Sequence, residues 1–181
     1  YVEGTNASGE PFSLQNGKAS NFILYSGGSQ HVKSGGVASA TTINGGAQYL
    51  SSGGMASATT IDGGTQYVSS GSLAHETTIL RYGTQEVSRG GVASNTTINS
   101  GGSQDVSPGG VASNTTINEG GLQNVSSGAV VSATIVAGGT QNVFSGGKVY
   151  NTEQHSGGNI NADVYGGDTS TYVSGTNASR E

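Results

Sequence analysis

One unit of this chain runs Gly90-Gly91-Val92-Ala93-Ser94-Asn95-Thr96-Thr97-Ile98-Asn99-Ser100-Gly101-Gly102-Ser103-Gln104-Asp105-Val106-Ser107. A near copy follows directly, opening Gly109-Gly110-Val111-Ala112-Ser113-Asn114-Thr115-Thr116-Ile117-Asn118. Self-similarity at a fixed period constrains a fold more than any composition does. A unit this short cannot bury its apolar side chains alone and must stack on its neighbours.

Three apolar positions recur every 18 or 19 residues. The first is small: Ala19, Ala38, Ala56, Ala74, Ala93, Ala112, Val131 and Val149. The second is Leu24, Ile43, Ile61, Ile79, Ile98, Ile117 and Val136. The third is Val32, Leu50, Val68, Val87, Val106, Val125 and Val143. A Gln stands two residues before each member of the third set, at positions 30, 48, 66, 85, 104, 123 and 141. The interval from Gln to the next small residue is constant, whereas the interval from Ile to Gln varies by one. The extra residue therefore enters between Ile and Gly-Gly, as in Ile98-Asn99-Ser100-Gly101-Gly102 against Ile43-Asn44-Gly45-Gly46. Strands do not tolerate a one-residue slip and turns do, so Asn-Gly-Gly is a corner. Asn and Gly also supply the positive φ that such corners need.

The runs between corners are short and rich in Val, Ile and Thr, which predicts strands. Stacking them at the repeat period places like residues above one another and gives an all-β solenoid of 18–19-residue coils with parallel pairing between coils. About nine coils at ~4.8 Å each predict a rod about 40 Å long. Stacked Gln side chains are expected to form an amide ladder inside it. Residues 19–149 carry the regular repeat. Residues 1–18 read as an irregular N-terminal coil and residues 150–181 as degenerate C-terminal coils. The stretch Tyr1-Val2-Glu3-Gly4-Thr5-Asn6-Ala7-Ser8 recurs as Tyr172-Val173-Ser174-Gly175-Thr176-Asn177-Ala178-Ser179, so both ends are expected to be further coils of a longer rod rather than dedicated caps. The opening at Tyr1 rather than Met is expected of a mature or excised segment.

Composition supports this architecture. Only 31% of residues are hydrophobic, too few for a two-layer core, and the 33 Gly suit corners. Charged residues are 9% and Pro number 2, which is not the signature of a disordered chain. The six cations, Lys18, Lys33, Arg81, Arg89, Lys148 and Arg180, form no basic run in a chain of net charge −5, so no nucleic acid partner is expected. No Cys is present, and no stretch of about 20 apolar residues would insert this segment in a bilayer.

The unit Gly-Gly-x-Ala-Ser-x-Thr-Thr-Ile-Asn-(Ser)-Gly-Gly-x-Gln-x-Val-Ser-Ser resembles the 19-residue repeat of AIDA-type self-associating autotransporter adhesins, the TibA-like group. Seven copies in register, over residues 19–149, carry the resemblance. It implies a right-handed parallel β-helix passenger at the bacterial outer membrane, exposed to the extracellular space. It further implies homotypic self-association and cell aggregation, adhesion to host cells, and O-heptosylation of repeat serines by a cytoplasmic heptosyltransferase before export. On that reading the chain is not an enzyme, needs no cofactor, and carries heptose only as a covalent modification.

Two serine rows are candidate acceptors. Ser39, Ser57, Ser94, Ser113 and Ser132 follow the small apolar ladder. Ser51, Ser69, Ser88, Ser107 and Ser126 follow the Val ladder. A residue next to an inward-facing one points outward, so both rows are expected at the surface, the first row being the preferred one. Asn-x-Ser/Thr triplets at Asn6, Asn95, Asn114, Asn124 and Asn177 are expected by chance in so Ser-, Thr- and Asn-rich a chain.

Two other functions fit a solenoid. An ice-binding face is suggested by Thr41, Thr59, Thr77, Thr96, Thr115 and Thr134, one per coil, although the adjacent Thr alternates to the opposite side and leaves no flat two-rank array. A glycan-processing β-helix would need a cleft of charged residues. His31, His75 and His155 occupy different positions of the unit, and Asp62, Glu86, Asp105 and Glu119 are scattered. Calcium is excluded because Gly101-Gly102-Ser103-Gln104-Asp105 has Gln where the calcium-binding nonapeptide needs Gly. One coil departs from the pattern, with His75, Glu76, Arg81, Tyr82, Glu86 and Arg89, and these form a candidate recognition patch.

Overall fold

The computed structural model of the protein describes residues 2–6, 8–14, 17–69, 71–164 and 170–178. Each regular coil contains three short strands. In one coil these are Val37–Ser39, Thr42–Asn44 and Ala47–Leu50. Each strand pairs in parallel with its equivalent in the coils before and after, with like residues in register: Ala74 lies against Ala56 and Ala93, Ile61 against Ile43 and Ile79, and Val68 against Leu50 and Val87. Three faces result. The first and second belong to one sheet because Lys148–Gln154 runs continuously across both, and the third forms the other sheet.

Two kinds of backbone feature bend the chain from face to face. The first and second faces meet at a single residue in the left-handed region: Asn21, Ala40, Ala58, Glu76, Asn95, Asn114, Ala133 and Asn151 all have φ between 51° and 58°. The second and third meet at the Asn-Gly-Gly corner, where Gly101 has φ 75°. The one-residue insertion does lie in this turn: Ile61 pairs with Ile79 and Gln66 with Gln85, both in register, although the second coil has one more residue between its Ile and its Gln. The corner from third to first face also needs glycine, for space. A Cβ at Gly91 would collide with the Val68 carbonyl oxygen of the coil below. Only small side chains replace it, Ser72 and Ala129 in one coil each, both buried, and the Ser72 hydroxyl donates to the Leu50 carbonyl at 3.0 Å.

All three apolar ladders are buried. They separate into two clusters, the Ala and Val ladders together and the Ile ladder apart. A polar seam runs beside them. Gln30, Gln48, Gln66, Gln85, Gln104, Gln123 and Gln141 are fully buried. Each Nε2 from Gln48 onward donates to the preceding Oε1 at 2.6–2.7 Å. Thr77 and Thr96 join this ladder twice each. Thr77 Oγ1 donates to Gln66 Oε1 at 3.3 Å and accepts from Gln85 Nε2 at 3.1 Å. The seam lets a narrow coil enclose polar side chains with most of their hydrogen-bonding capacity met, which a buried amide requires.

The N-terminal segment differs from the expected coil. Val2–Thr5 and Pro11–Leu14 form an antiparallel hairpin, and Val2–Thr5 pairs antiparallel with Ser29–Val32. The hairpin covers the free edge of the third face, and Lys33 Nζ pairs with Glu3 Oε1 at 2.6 Å beside it. The solenoid therefore has eight coils instead of about nine. At the other end Asn159–Ala162 and Tyr172–Asn177 continue the third and first faces in parallel. The echo of Tyr1 to Ser8 in Tyr172 to Ser179 is thus one sequence in two pairing directions. Tyr1, Ala7 and Ser179 lie outside the described residues.

Candidate functional site

The surface is a set of rows, one residue per coil, whose identity is fixed by position in the strand. Ser39, Ser57, Ser94, Ser113 and Ser132 form one row at the outer end of the first-face strands, and all five are half-buried and face outward. His75 and Tyr150 replace Ser in two coils of that row. The hydroxyls are within reach of neighbours: Ser39 Oγ donates to the Ala19 carbonyl at 3.4 Å, and Ser94 Oγ lies 3.0 Å from His75 Nδ1. Ser51, Ser69, Ser88, Ser107 and Ser126 form the second row at the corner joining third to first face, equally half-buried. One residue further on, Ser34, Ser52 and Ser127 are exposed. The sequence signal for them, a second Ser before Gly-Gly, is present but gives no ranking of exposure.

The threonine row does not face solvent. Thr41, Thr59, Thr77, Thr96, Thr115 and Thr134 are all buried to within 1%, several of them bonded to the Gln ladder. An ice-binding face on these residues is overturned. The cause is the left-handed residue at each first bend, which shifts the in–out alternation by one so that both the Thr and the Ile two residues later point inward.

The irregular coil is not a patch. His75 and Glu76 sit at the bend between first and second faces, with His75 Nε2 3.3 Å from Glu76 Oε1. Arg81 and Tyr82 sit at the next corner, the guanidinium 5.2 Å from the ring centroid. Glu86 lies on the third face and Arg89 on the corner beyond. The coil closes from Ala74 to Ala93, so residues 75 to 89 run most of the way round it and are spread about the rod. His31 stacks on Tyr49 at 4.6 Å and Tyr49 on Tyr67 at 4.9 Å on the third face, far from His75 in position. The same row continues as Glu86, Asp105 and Asn124, with Asn124 Nδ2 donating to Asp105 Oδ1 at 2.7 Å and Asn142 Nδ2 to Asn124 Oδ1 at 3.0 Å. Among the described residues no three His, Cys, Asp or Glu side chains gather in a group able to hold a metal.

A ladder-cored rod whose surface chemistry comes in rows is a stalk: it presents the same side chains again and again along its length. The family model described as "Adhesin of bacterial autotransporter system, probable stalk" matches residues 3–64 and 89–139, and the chain belongs to that family. It is a segment of the surface-exposed passenger of an autotransporter adhesin. A similar solved structure is the crystal structure of a TibA fragment hyper-glycosylated in a reaction catalysed by TibC. It is 32% identical, with 87% of this chain and 77% of that chain covered and a TM-score of 0.44. None of the curated proteins matches the chain.

Proposed function

We propose that this chain is a non-catalytic length of adhesin rod that self-associates, contributes to cell aggregation and host-cell adhesion, and accepts O-linked heptose on repeat serines. The transferase would be cytoplasmic and would act before export and coiling. The observation that carries the modification reading is the register of the serine rows: half-exposed hydroxyls recur at the same strand position in most coils. We assign Ser39, Ser57, Ser94, Ser113 and Ser132 as first acceptors and Ser51, Ser69, Ser88, Ser107 and Ser126 as second. The same geometry supports the self-association reading. Two rods side by side meet the same weak contact at every coil, and contacts worth a few tenths of a kcal/mol each become strong when multiplied over many molecules on two cells.

Intact mass of the chain produced with and without a heptosyltransferase tests the modification. The expected result is a series of added heptose residues that shrinks when the five first-row serines are changed to Ala together. An unchanged mass in the presence of an active transferase would remove the acceptor role.

A further inference from the structure

The outward residue that precedes each buried Ala of the first face forms a row of its own: Val37, Met55, Leu73, Val92, Val111 and Val130, paired coil to coil without a polar interruption. Lys18 precedes the row and Lys148 follows it. These side chains point away from the core. Met55 is 45% exposed, and Val92 and Val111 are 37% exposed. The row spans five coil spacings, about 24 Å. Isolated exposed apolar residues are ordinary, but six in line are a contiguous apolar strip of the kind that marks interaction sites.

We infer that this stripe is the face through which a second copy of the chain pairs with the first. The inference rests on the self-association reading above and names its surface. Three observations select a second copy as the occupant. The first is spacing. The apolar side chains recur at one coil height, and a second rod presents the same residues at the same spacing, so contact is repeated at every coil by construction. The second is charge. The chain carries −5, and acids stand on the outward rows of the other two faces, Asp62 and Glu153 on the second, Glu86 and Asp105 on the third. Among the described residues, the first face carries none on its outward rows. It is therefore the side on which two acidic rods approach with least repulsion. The third is area. A stripe of this length and one side chain wide exposes on the order of 300 Å2, well under the roughly 800 Å2 per partner of a stable complex. A single pair is weak, and an array of displayed rods is not. The pairing is therefore suited to contact between many molecules, with free monomers in dilute solution.

The test uses two triple variants of equal charge. Met55→Lys with Val92→Lys and Val111→Lys alters the stripe; Thr65→Lys with Ser103→Lys and Thr140→Lys places the same charge on the outward row of the third face. Association of the chain is followed by sedimentation over a concentration series, and aggregation is scored for cells displaying it. The stripe variant is expected to weaken association about tenfold or more while the third-face variant does not. Equal effects from both triples, or none from the stripe variant, would overturn the stripe and leave self-association standing. If the stripe variant fails to fold, Val92→Cys decides, since the natural chain has no Cys. Cross-linking by a short bis-maleimide where the wild type associates supports the stripe, and its absence there overturns it. A wild-type chain that stays monomeric at every concentration and aggregates no cells removes the self-association reading itself. Binding of phosphatidylcholine vesicles through the stripe without self-association would give it a lipid occupant and overturn the pairing.

Discussion

At the scale of single residues, the buried Gln ladder is the most demanding feature of this rod. Gln104 Nε2 donates to Gln85 Oε1 and Thr96 Oγ1, while its Oε1 accepts from Gln123 Nε2 and Thr115 Oγ1. Gln104→Leu keeps the volume close and strands those partners in a dry interior. Burial of unsatisfied amides and hydroxyls costs about 1–3 kcal/mol each, less what the neighbours recover by turning, so a loss of about 2–4 kcal/mol is expected. Gln141 stands at the end of the ladder, with one amide–amide bond to Gln123 and Ile160 in the next coil at its register. Gln141→Leu is expected to cost about half as much. Urea unfolding of the two variants measures the difference; equal losses would mean that side-chain packing rather than the hydrogen-bonded ladder sets the cost.

At the scale of the element, the coil is defined by its bends. The first bend holds a non-glycine residue in the left-handed region in all eight coils, Asn in four, Ala in three and Glu in one. Left-handed conformation costs an ordinary L-residue about 1–2 kcal/mol, and Asn tolerates it best among non-glycine residues. Ala58, at φ 53°, is exposed and has room for a larger side chain. Ala58→Asn is expected to stabilise the fold by about 0.5–1 kcal/mol and Asn95→Ala to destabilise it by a similar amount, both read from the midpoint of thermal unfolding. An unchanged midpoint for both would mean that the bend is not strained for Ala. This bend also explains what was legible in the sequence. Leu24, Ile43, Val32 and their equivalents announce the ladders because period and apolarity coincide, and the Gln ladder follows from the same period. Alternation counted back from Ile43 puts Thr41 inward and counted forward from Ala38 puts it outward; the left-handed residue at 40, which resets the side and leaves no mark on the pattern, decides for the first. The hairpin of Val2–Thr5 and Pro11–Leu14 is hidden for another reason: pairing direction leaves no mark on a strand pattern, and Tyr1 to Ser8 reads the same as its parallel counterpart near the other end. Val37 and its equivalents flank the inward Ala ladder on the side opposite the serines, so alternation places them outward as well; what no strand pattern encodes is what covers an outward row that is apolar. The serine rows were legible as outward positions; whether any of them accepts sugar is a question of enzyme access that no strand pattern encodes.

At the scale of the whole molecule, the rod is quasi-one-dimensional, and each coil touches mainly its two neighbours. Every ladder passes through each regular coil at the same strand position, so a coil is removable as a unit provided the cut respects the register. Val92 pairs with Val111, which makes residues 92–110 one complete turn. Deleting them joins Gly91 to Val111, brings Ala112 onto Ala74 and Gln123 onto Gln85, and leaves the apolar, Gln and outer rows unbroken. The shortened chain is expected to fold, to be shorter by about 4.8 Å in solution scattering, and to unfold in urea with a slope lower by about a tenth, since that slope follows the surface exposed on unfolding. Deleting residues 92–100 takes out fewer residues but only half a turn. It would set a third-face strand where a first-face strand belongs, leave Gly102 opposite Ala74, and place Asp105 at the buried Thr position and Ser107 opposite Ile79, a carboxylate and a hydroxyl among buried side chains. That variant is expected to lose its β-sheet circular dichroism signal or aggregate. If the half-turn deletion folds as well as the full one, the ladders do not set the register. If the full-turn deletion unfolds, stability resides in one particular coil, and the rod is not the sum of equivalent turns that its pairing describes.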